Sequence, residues 1–278
     1  MIDLPGLVSS SPICFMAGLG LLRVLSVDKK TDTRLGWRQG HAVLEGIDLD
    51  VALDLVAKNM TDRAGAPEFN WADTPRKTSP EDYRKACHEM KNDSRALSFM
   101  AGWATDTVVQ NGTVAVTRLD MTSGQQKLFK DLRKLCAQVN RDHIYSALLG
   151  GAYEAQSSFG LDPIAVRSHA HEAQAPTKTP PPGKPGLVWL AFESIPLHPV
   201  IPVNPIRAET TGWRYGDNAG YIWPIWESLL GYDEVFYLRT LPIKMLPKMI
   251  GGGISEVWAS TYGQSGKYGM LKPALRER

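Results

Sequence analysis

The hydrophobic pattern begins with a nearly continuous apolar run close to the start of the chain. Residues 12–22, PICFMAGLGLL, carry no charge, and Ser11 stands before them as a potential helix cap. Proline fits the first turn of a helix, so the pattern predicts a helix over 12–25. The run is shorter than the roughly 20 residues that cross a bilayer. Asp3 is the only charge before it, so the positive segment of a secretory signal is also missing.

Two glycines bear on where this helix lies. Gly18 and Gly20 fall inside it, and each costs about 1 kcal/mol relative to alanine in a helix interior. Close packing against another backbone element would offset that cost. We therefore expect the 12–25 helix to be a central, buried element of the fold.

Helical and alternating spacings predict further elements in the first 150 residues. Helices are expected over 48–60, from Ser79 onward, and over 94–106, 123–139 and 142–151. Strands are expected over 34–46 and 112–121.

The 123–139 segment has the most regular amphipathic pattern, with Ser123 as its expected cap. Its apolar stripe consists of Leu128, Leu132, Leu135 and Val139. The opposite side carries Lys127, Lys130 and Lys134. Such a lysine row is either the solvated side of a helix or a contact for nucleic-acid phosphates.

Composition changes after residue 172. The 173–187 segment contains five prolines, so we expect an exposed loop or linker there. It divides a helix-rich part, 1–172, from a part rich in strands and aromatic residues, 188–278. In the second part the pattern predicts a buried strand or helix over 187–195, a strand and turn over 208–216, a helix over 231–241 and paired strands over 254–271. The predicted class is α+β, and the two parts could form one compact domain.

Charge and cysteine content narrow the function classes. A net charge of +2 over 278 residues gives no global signature of nucleic-acid binding. Residues 239–278, however, carry seven basic and two acidic side chains. The aromatic residues and lysines interleaved there suit phosphate contact with base stacking, or an acidic protein partner; they are Trp258, Tyr262, Lys267, Tyr268 and Lys272.

The three cysteines are scattered, which indicates free thiols in a reducing compartment.

Motifs for common catalytic sites are missing from the sequence. It contains no P-loop, GxGxxG, HExxH or GxSxG pattern. His169 and His171 are the nearest approach to a metal site, but such a site needs three or four converging ligands. We therefore expect no catalytic activity, metal or cofactor. A metal-dependent nuclease or hydrolase that uses the two histidines is kept as an alternative.

Several phrases, in order, resemble one protein family. LPGLVSSSPICFMAGLGLLRVLS near the start resembles the N-terminal signature of protein subunits from type I-G (formerly I-U) CRISPR–Cas loci, and RLGW follows it. The same family is matched by MTSGQQKLF, LDPIAVRSHA, LAFESIPLHPVIP, TTGWR, WPIWESLLGYDEV and SGKYGMLKP. The resemblance covers almost the whole chain. Two features depart from the family pattern: Ser11 stands in place of the usual Asn, and a proline-rich insert occupies 176–185.

The resemblance implies a cytoplasmic antiviral defence protein that joins an RNA-guided DNA-targeting complex as a non-catalytic subunit or accessory. Other Cas subunits, guide RNA or target DNA, and the CRISPR helicase–nuclease are the implied partners; a membrane is not. In such complexes guide pairing reads sequence, and protein subunits hold nucleic-acid backbones. A stand-alone nucleic-acid-binding defence protein is the alternative.

Overall fold

The computed structural model describes residues 1–63, 65–122, 126–164, 182–265 and 268–277. Its helices are α1 (Pro12–Arg23), α2 (Leu49–Arg63), α3 (Pro80–Glu89), α4 (Ser94–Trp103), α5 (Leu128–Gln138), α6 (Arg141–Leu149), α7 (Pro185–Glu193) and α8 (Tyr232–Thr240). Its strands are β1 (Ile2–Val8), β2 (Arg34–Arg38), β3 (His41–Glu45), β4 (Ala104–Gln110), β5 (Thr113–Val116), β6 (Glu154–Ala155), β7 (Pro182–Gly183), β8 (Val200–Asn204), β9 (Arg207–Thr210), β10 (Trp213–Arg214), β11 (Gly220–Ile225), β12 (Glu256–Ser265), β13 (Tyr268–Leu271) and β14 (Leu275–Arg276). The protein therefore belongs to the α+β class, as predicted.

The helix near the start is α1, and it is buried along its whole length. The Ser11 side chain accepts a hydrogen bond from the backbone N–H of Cys14 at 3.5 Å, and Pro12 opens the first turn. A π-helical turn over Val24–Asp28 continues the helix. The prediction of a buried helix over 12–25 is confirmed, because both Val24 and Leu25 are also buried.

Helix α7 is the backbone element that packs closely against α1. Its nine residues are all buried, and a Cβ placed on Gly20 would overlap the carbonyl oxygen of Leu190. The glycine thus lets two helix backbones approach more closely than any side chain would allow. The sequence pattern allowed either a strand or a helix over 187–195, and most of these residues belong to this helix.

One hydrophobic core contains residues from both sides of the proline-rich segment. Phe15 of α1 lies at the centre of an aromatic cluster, with ring centroids 5.6–6.4 Å from four neighbours. Those neighbours are Trp37, Tyr221, Trp223 and Trp226. The helix-rich part and the aromatic-rich part therefore share their interior. Most of 173–187 lies outside the described residues, but 182–187 form β7 and the first turn of α7 and are largely buried, so the prediction of an exposed loop is wrong over this end.

The two larger sheets are antiparallel and are joined by tryptophan side chains. The first has the order β1-β3-β2; the second has the order β10-β11-β12-β13, with β14 also paired to β12. The Trp226 indole donates to the carbonyl of Leu35 at 2.9 Å, and the Trp223 indole donates to the carbonyl of Ser9 at 2.9 Å. These buried bonds hold the second sheet against the first.

A buried ion network ties four helices together. Glu193 of α7 accepts hydrogen bonds from Arg23 of α1 and from Arg63 of α2. Arg23 also forms a two-bond pair with Asp28, with both distances at 2.9 Å. The Arg63 guanidinium further pairs with Glu68, which lies 3.5 Å from Arg95 of α4. Burial lowers the pKa of Arg63 despite its carboxylate partners.

Three predicted boundaries are wrong. The helix predicted from residue 123 begins at Leu128, and Lys127 is already outside it; Ser123 lies outside the described residues. The predicted helix 94–106 ends at Trp103, because the β-branched run that follows it forms β4. The predicted strand 112–121 is limited to β5, which pairs with β4 across an Asn111–Gly112 turn with both residues at positive φ.

Candidate nucleic-acid interface

A groove of about 770 Å³ lies between the β4–β5 hairpin and the second sheet. One wall is formed by residues 113–118 and 120–122, which include β5. The other wall is built from residues of β10, β12, β13 and the turn after β10. Gln110 and Asn111 stand at the hairpin end. The volume is in the range of sites that take small molecules or a few residues of a polymer.

Arg118 is the exposed cation of this groove. Its guanidinium carbon lies 5.7 Å from the centre of the Tyr215 ring, and that of Arg207 lies 5.4 Å from the same ring. The backbone N–H of Arg118 donates to the Thr210 hydroxyl at 2.9 Å, and the N–H of Thr210 donates to the Tyr215 hydroxyl at 2.8 Å. These bonds fix the aromatic ring on which the guanidinium rests.

Charge pairing distinguishes the two arginines beside Tyr215. Arg207 forms an ion pair with Glu209. Among the described residues, no carboxylate lies within ion-pair distance of Arg118. Arg118 therefore presents to the groove a positive charge that no carboxylate of the described part of the chain compensates.

The opposite wall contributes aromatic surface and an amide. Trp213 is buried and meets Tyr262 edge to face, with ring centroids 6.0 Å apart. Tyr262 is half-buried, and its hydroxyl accepts a hydrogen bond from the Gln264 amide at 3.2 Å. The ring of Tyr262 lines the groove and is held by Trp213, by the Gln264 amide and by the neighbouring Gly269.

Arg76 also lines the groove, but its guanidinium is already bonded to other parts of the chain. Arg76 donates to the backbone carbonyls of Thr122 and Gln126, and its Nε lies 3.3 Å from a carboxylate oxygen of Asp120. The Asp120 side chain is fully buried, and burial raises its pKa. Arg76 therefore holds the segment after β5 in place and has less freedom than Arg118 to meet a ligand.

The three lysines predicted as a row on α5 do not form a free cationic stripe, because two of them pair with carboxylates. Lys127 pairs with Asp73 at 2.5 Å, and Lys134 pairs with Asp131 at 3.6 Å. Lys130 is exposed and makes no ion pair with a described residue. None of the three lines the groove. The amphipathic pattern identified the buried face of the helix correctly, but it could not show which lysines meet carboxylates from other segments.

The predicted residues of the C-terminal segment separate in space. Tyr262 lines the groove, whereas the Trp258 indole donates to Glu256 at 2.8 Å on another part of β12. Lys272 is exposed, and its aliphatic chain lies against Gly263. Tyr268 pairs with Ser265 in the β12–β13 ladder. Its side chain, like Lys267, lies outside what the structure describes.

Sequence reasoning missed Arg118, Trp213 and Tyr215. The pattern GWRYG around Trp213 predicted a strand and turn, and its aromatic residues were the available signal. Arg118 gave no signal, because nothing in the sequence indicates that the end of β5 lies opposite β10.

The β8–β9 hairpin borders the groove and exposes apolar side chains; we call it the apolar hairpin. Ala208 of β9 lines the groove. In the same hairpin the side chains of Ile201, Val203 and Ile206 are 46 %, 55 % and 81 % exposed. Val109 on the neighbouring strand β4 is also exposed. Contiguous apolar side chains on a surface are typical of protein–protein contact sites.

A buried hydrogen-bond chain elsewhere has a structural explanation. His198 Nδ1–H donates to the carbonyl of Ser194 at 2.9 Å, and His198 Nε2 accepts from the Tyr221 hydroxyl at 2.6 Å. Arg239 donates to the same hydroxyl at 3.3 Å. Burial, and then the nearby Arg239 charge, lower the pKa of His198 well below 6.5. The three side chains are almost wholly buried and do not line the groove.

Within the described ranges, no three His, Cys, Asp or Glu side chains are grouped so that they could hold a metal ion. His169 and His171 lie outside those ranges. Of the helices that the structure describes, none combines the length and apolar character needed to span a bilayer.

Comparisons with known proteins add no family. No protein-family model matches the chain, and a search of curated proteins finds no match either.

Proposed function

We propose that this protein is a non-catalytic subunit or accessory of a type I CRISPR RNA-guided DNA-targeting complex in the cytoplasm. The resemblance of its ordered phrases to type I-G subunits motivates the proposal. The observation that carries it is the placement of a groove with arginine and aromatic side chains directly beside an exposed apolar hairpin. A subunit of such a complex needs both kinds of surface, because it must hold nucleic acid and other subunits at the same time.

The apolar hairpin favours a subunit over a stand-alone binding protein. Ile206 is 81 % exposed at the hairpin turn, and exposing such a side chain to water is unfavourable when the protein is alone. A stand-alone defence protein that binds nucleic acid through the groove is the second candidate. It explains the groove but leaves the hairpin without a partner.

The test is affinity capture of the tagged full-length protein from cells that express the complete CRISPR locus. The proposal predicts co-purification of other Cas subunits together with guide RNA. The substitution Ile206→Asp should reduce recovery of the partner proteins about tenfold, because it places a charge in an apolar contact. Leu275→Asp is the matched control, since Leu275 is 76 % exposed on β14 and lies outside the hairpin. Capture of the protein without partners from the complete locus would contradict the proposal.

A further inference from the structure

We infer that the groove between β5 and the β10–β13 sheet binds a single strand of nucleic acid, with Arg118 on a phosphate and Tyr262 against a base. The inference deepens the proposed function and rests on it for the biological setting. Its physical basis is the groove alone.

The phosphate contact follows from the charge of Arg118. This guanidinium is exposed at the groove, makes no ion pair with a described residue and is held over Tyr215. The guanidinium carbon lies at a cation–π distance from the ring, 5.7 Å, and the guanidinium N–H groups donate to no described residue. A planar cation with free N–H donors suits a phosphate oxygen better than a neutral ligand.

The base contact follows from Tyr262. Its ring lines the groove, and its position is fixed by a T-shaped contact with Trp213, by Gln264 at the hydroxyl and by the neighbouring Gly269. A fixed ring loses little conformational entropy when a base stacks on it. The Gln264 side chain is exposed beside the ring, and an amide offers both a donor and an acceptor to a base edge.

The shape of the site favours a single strand over a duplex. In a duplex the flat faces of the bases are stacked inside, so a duplex could present its backbone and base edges to the groove but no base face. Tyr262 would then have no stacking partner. A single strand offers phosphates and unstacked base faces together, and one positive group with an aromatic surface is the combination that single-strand sites use.

An acidic peptide is the main competing ligand for an exposed arginine. It would use Arg118 but would gain nothing specific from Tyr262, because stacking on aromatic faces is a property of bases. The two ligands therefore differ in their dependence on the aromatic residue.

The experiment measures binding of the full-length protein to fluorescent oligonucleotides of about 12 nucleotides by anisotropy, with matching duplexes and an oligo-glutamate peptide as competitors. The unmodified protein should bind the single strand more tightly than the duplex. Arg118→Ala should weaken single-strand binding about tenfold. It should also reduce the slope of log affinity against log salt by about 0.7, the value for one phosphate contact on a single strand. Tyr262→Leu should weaken binding about tenfold with the salt slope unchanged.

Two further variants separate binding effects from folding effects. Asn111→Asp adds one negative charge at the mouth of the groove, and aspartate tolerates the positive φ of 50° found there; it should weaken binding severalfold. Arg34→Ala is the matched control, because Arg34 is exposed on β2 and does not line the groove. All variants should retain the unmodified circular dichroism spectrum.

The inference is overturned if the duplex binds as tightly as the single strand, or if Arg118→Ala and Asn111→Asp behave like Arg34→Ala. It is also overturned if oligo-glutamate competes fully and Tyr262→Leu has no effect. These results leave capture of Cas subunits untouched. Conversely, single-strand binding by a protein that captures no Cas subunit would contradict the proposed function while supporting the groove.

Discussion

At the scale of single residues, Gly20 decides how closely α1 and α7 can approach. A side chain at this position would collide with the carbonyl of Leu190, which is backbone and has little room to move. Gly18, two residues earlier, faces the side chains of Trp37 and Leu35, and a Cβ added to it would lie 3.2 Å from the nearest of their atoms. Two glycines of one helix therefore have different structural roles.

The substitution Gly20→Ala should destabilise the protein by about 3 kcal/mol, because the two helix backbones must separate. Gly18→Ala is the matched control. It should change stability by less than about 1 kcal/mol, since the gain in helix propensity offsets a small side-chain adjustment. Urea denaturation followed by circular dichroism measures both. Equal effects of the two substitutions would show that the close approach at Leu190 is not limiting.

His198 is the second residue with a measurable consequence. Its folded-state pKa lies well below 6.5, whereas in the unfolded chain it is about 6.5. Below that pH the unfolded state binds a proton that the folded state does not bind, so the contribution of this histidine is present above pH 6.5 and is lost as the pH falls. The loss falls mainly between about pH 7.5 and about pH 5.5 and is on the order of 1 kcal/mol.

His198→Gln should remove this pH dependence, because glutamine does not titrate. The free energy of unfolding of the unmodified protein should therefore fall by about 1 kcal/mol more than that of the variant over the same interval. Comparing the two proteins cancels the contributions of the other titrating groups. Parallel pH profiles would mean that the pKa of His198 is the same in the folded and unfolded states.

At the scale of elements, the buried ion network fixes how α1, α2 and α7 are arranged. Arg23, Arg63 and Glu193 are each 1 % exposed. Charged side chains are rarely buried unless they are paired. The guanidiniums of Arg23 and Arg63 also lie 5.0 and 4.4 Å from the centre of the Phe99 ring. Polar pairing and aromatic contact together hold the two cations in the interior.

Glu193→Ala should cost about 3–5 kcal/mol, because it leaves two buried guanidiniums without their shared carboxylate. Asp54→Ala is the matched control. Asp54 pairs with Arg141 at 2.7 Å, but both side chains are exposed, so its loss should cost about 1 kcal/mol or less. Thermal unfolding of the two variants gives the comparison. A small effect of Glu193→Ala would imply that water or another group satisfies the arginines.

At the scale of the whole molecule, the interior is shared between segments on both sides of residues 173–187. α7 packs on α1, and Phe15 packs among rings of the second sheet. Chains 1–172 and 173–278 produced separately should not fold. Produced together, they should associate and unfold in one cooperative transition, with the intact chain as the control. Cooperative unfolding of either fragment alone would show that it has a sufficient core of its own.

The sequence made some of these features predictable and left others hidden. The cap, proline and glycines of α1 predicted a buried helix with a close neighbour, because each of those signals is local. The identity of the neighbour, α7, could not be predicted, since no local pattern specifies a partner so distant along the chain. The groove was hidden for the same reason: Tyr262 was a candidate, but Arg118 and Tyr215 become neighbours only through tertiary packing.

The hydrogen bond between Arg23 and Glu193 joins residues separated by 170 positions. At a translation rate of about 5–20 residues per second, α1 leaves the ribosome roughly 10 to 30 s before its partner helix is made. During that interval α1 can pack only on segments close to it in the chain, such as β1 and Trp37 of β2, and the face that later meets α7 is uncovered. We expect chaperones that shield apolar segments to act on this face of the nascent chain, so the yield in a heterologous host should rise when those chaperones are supplied.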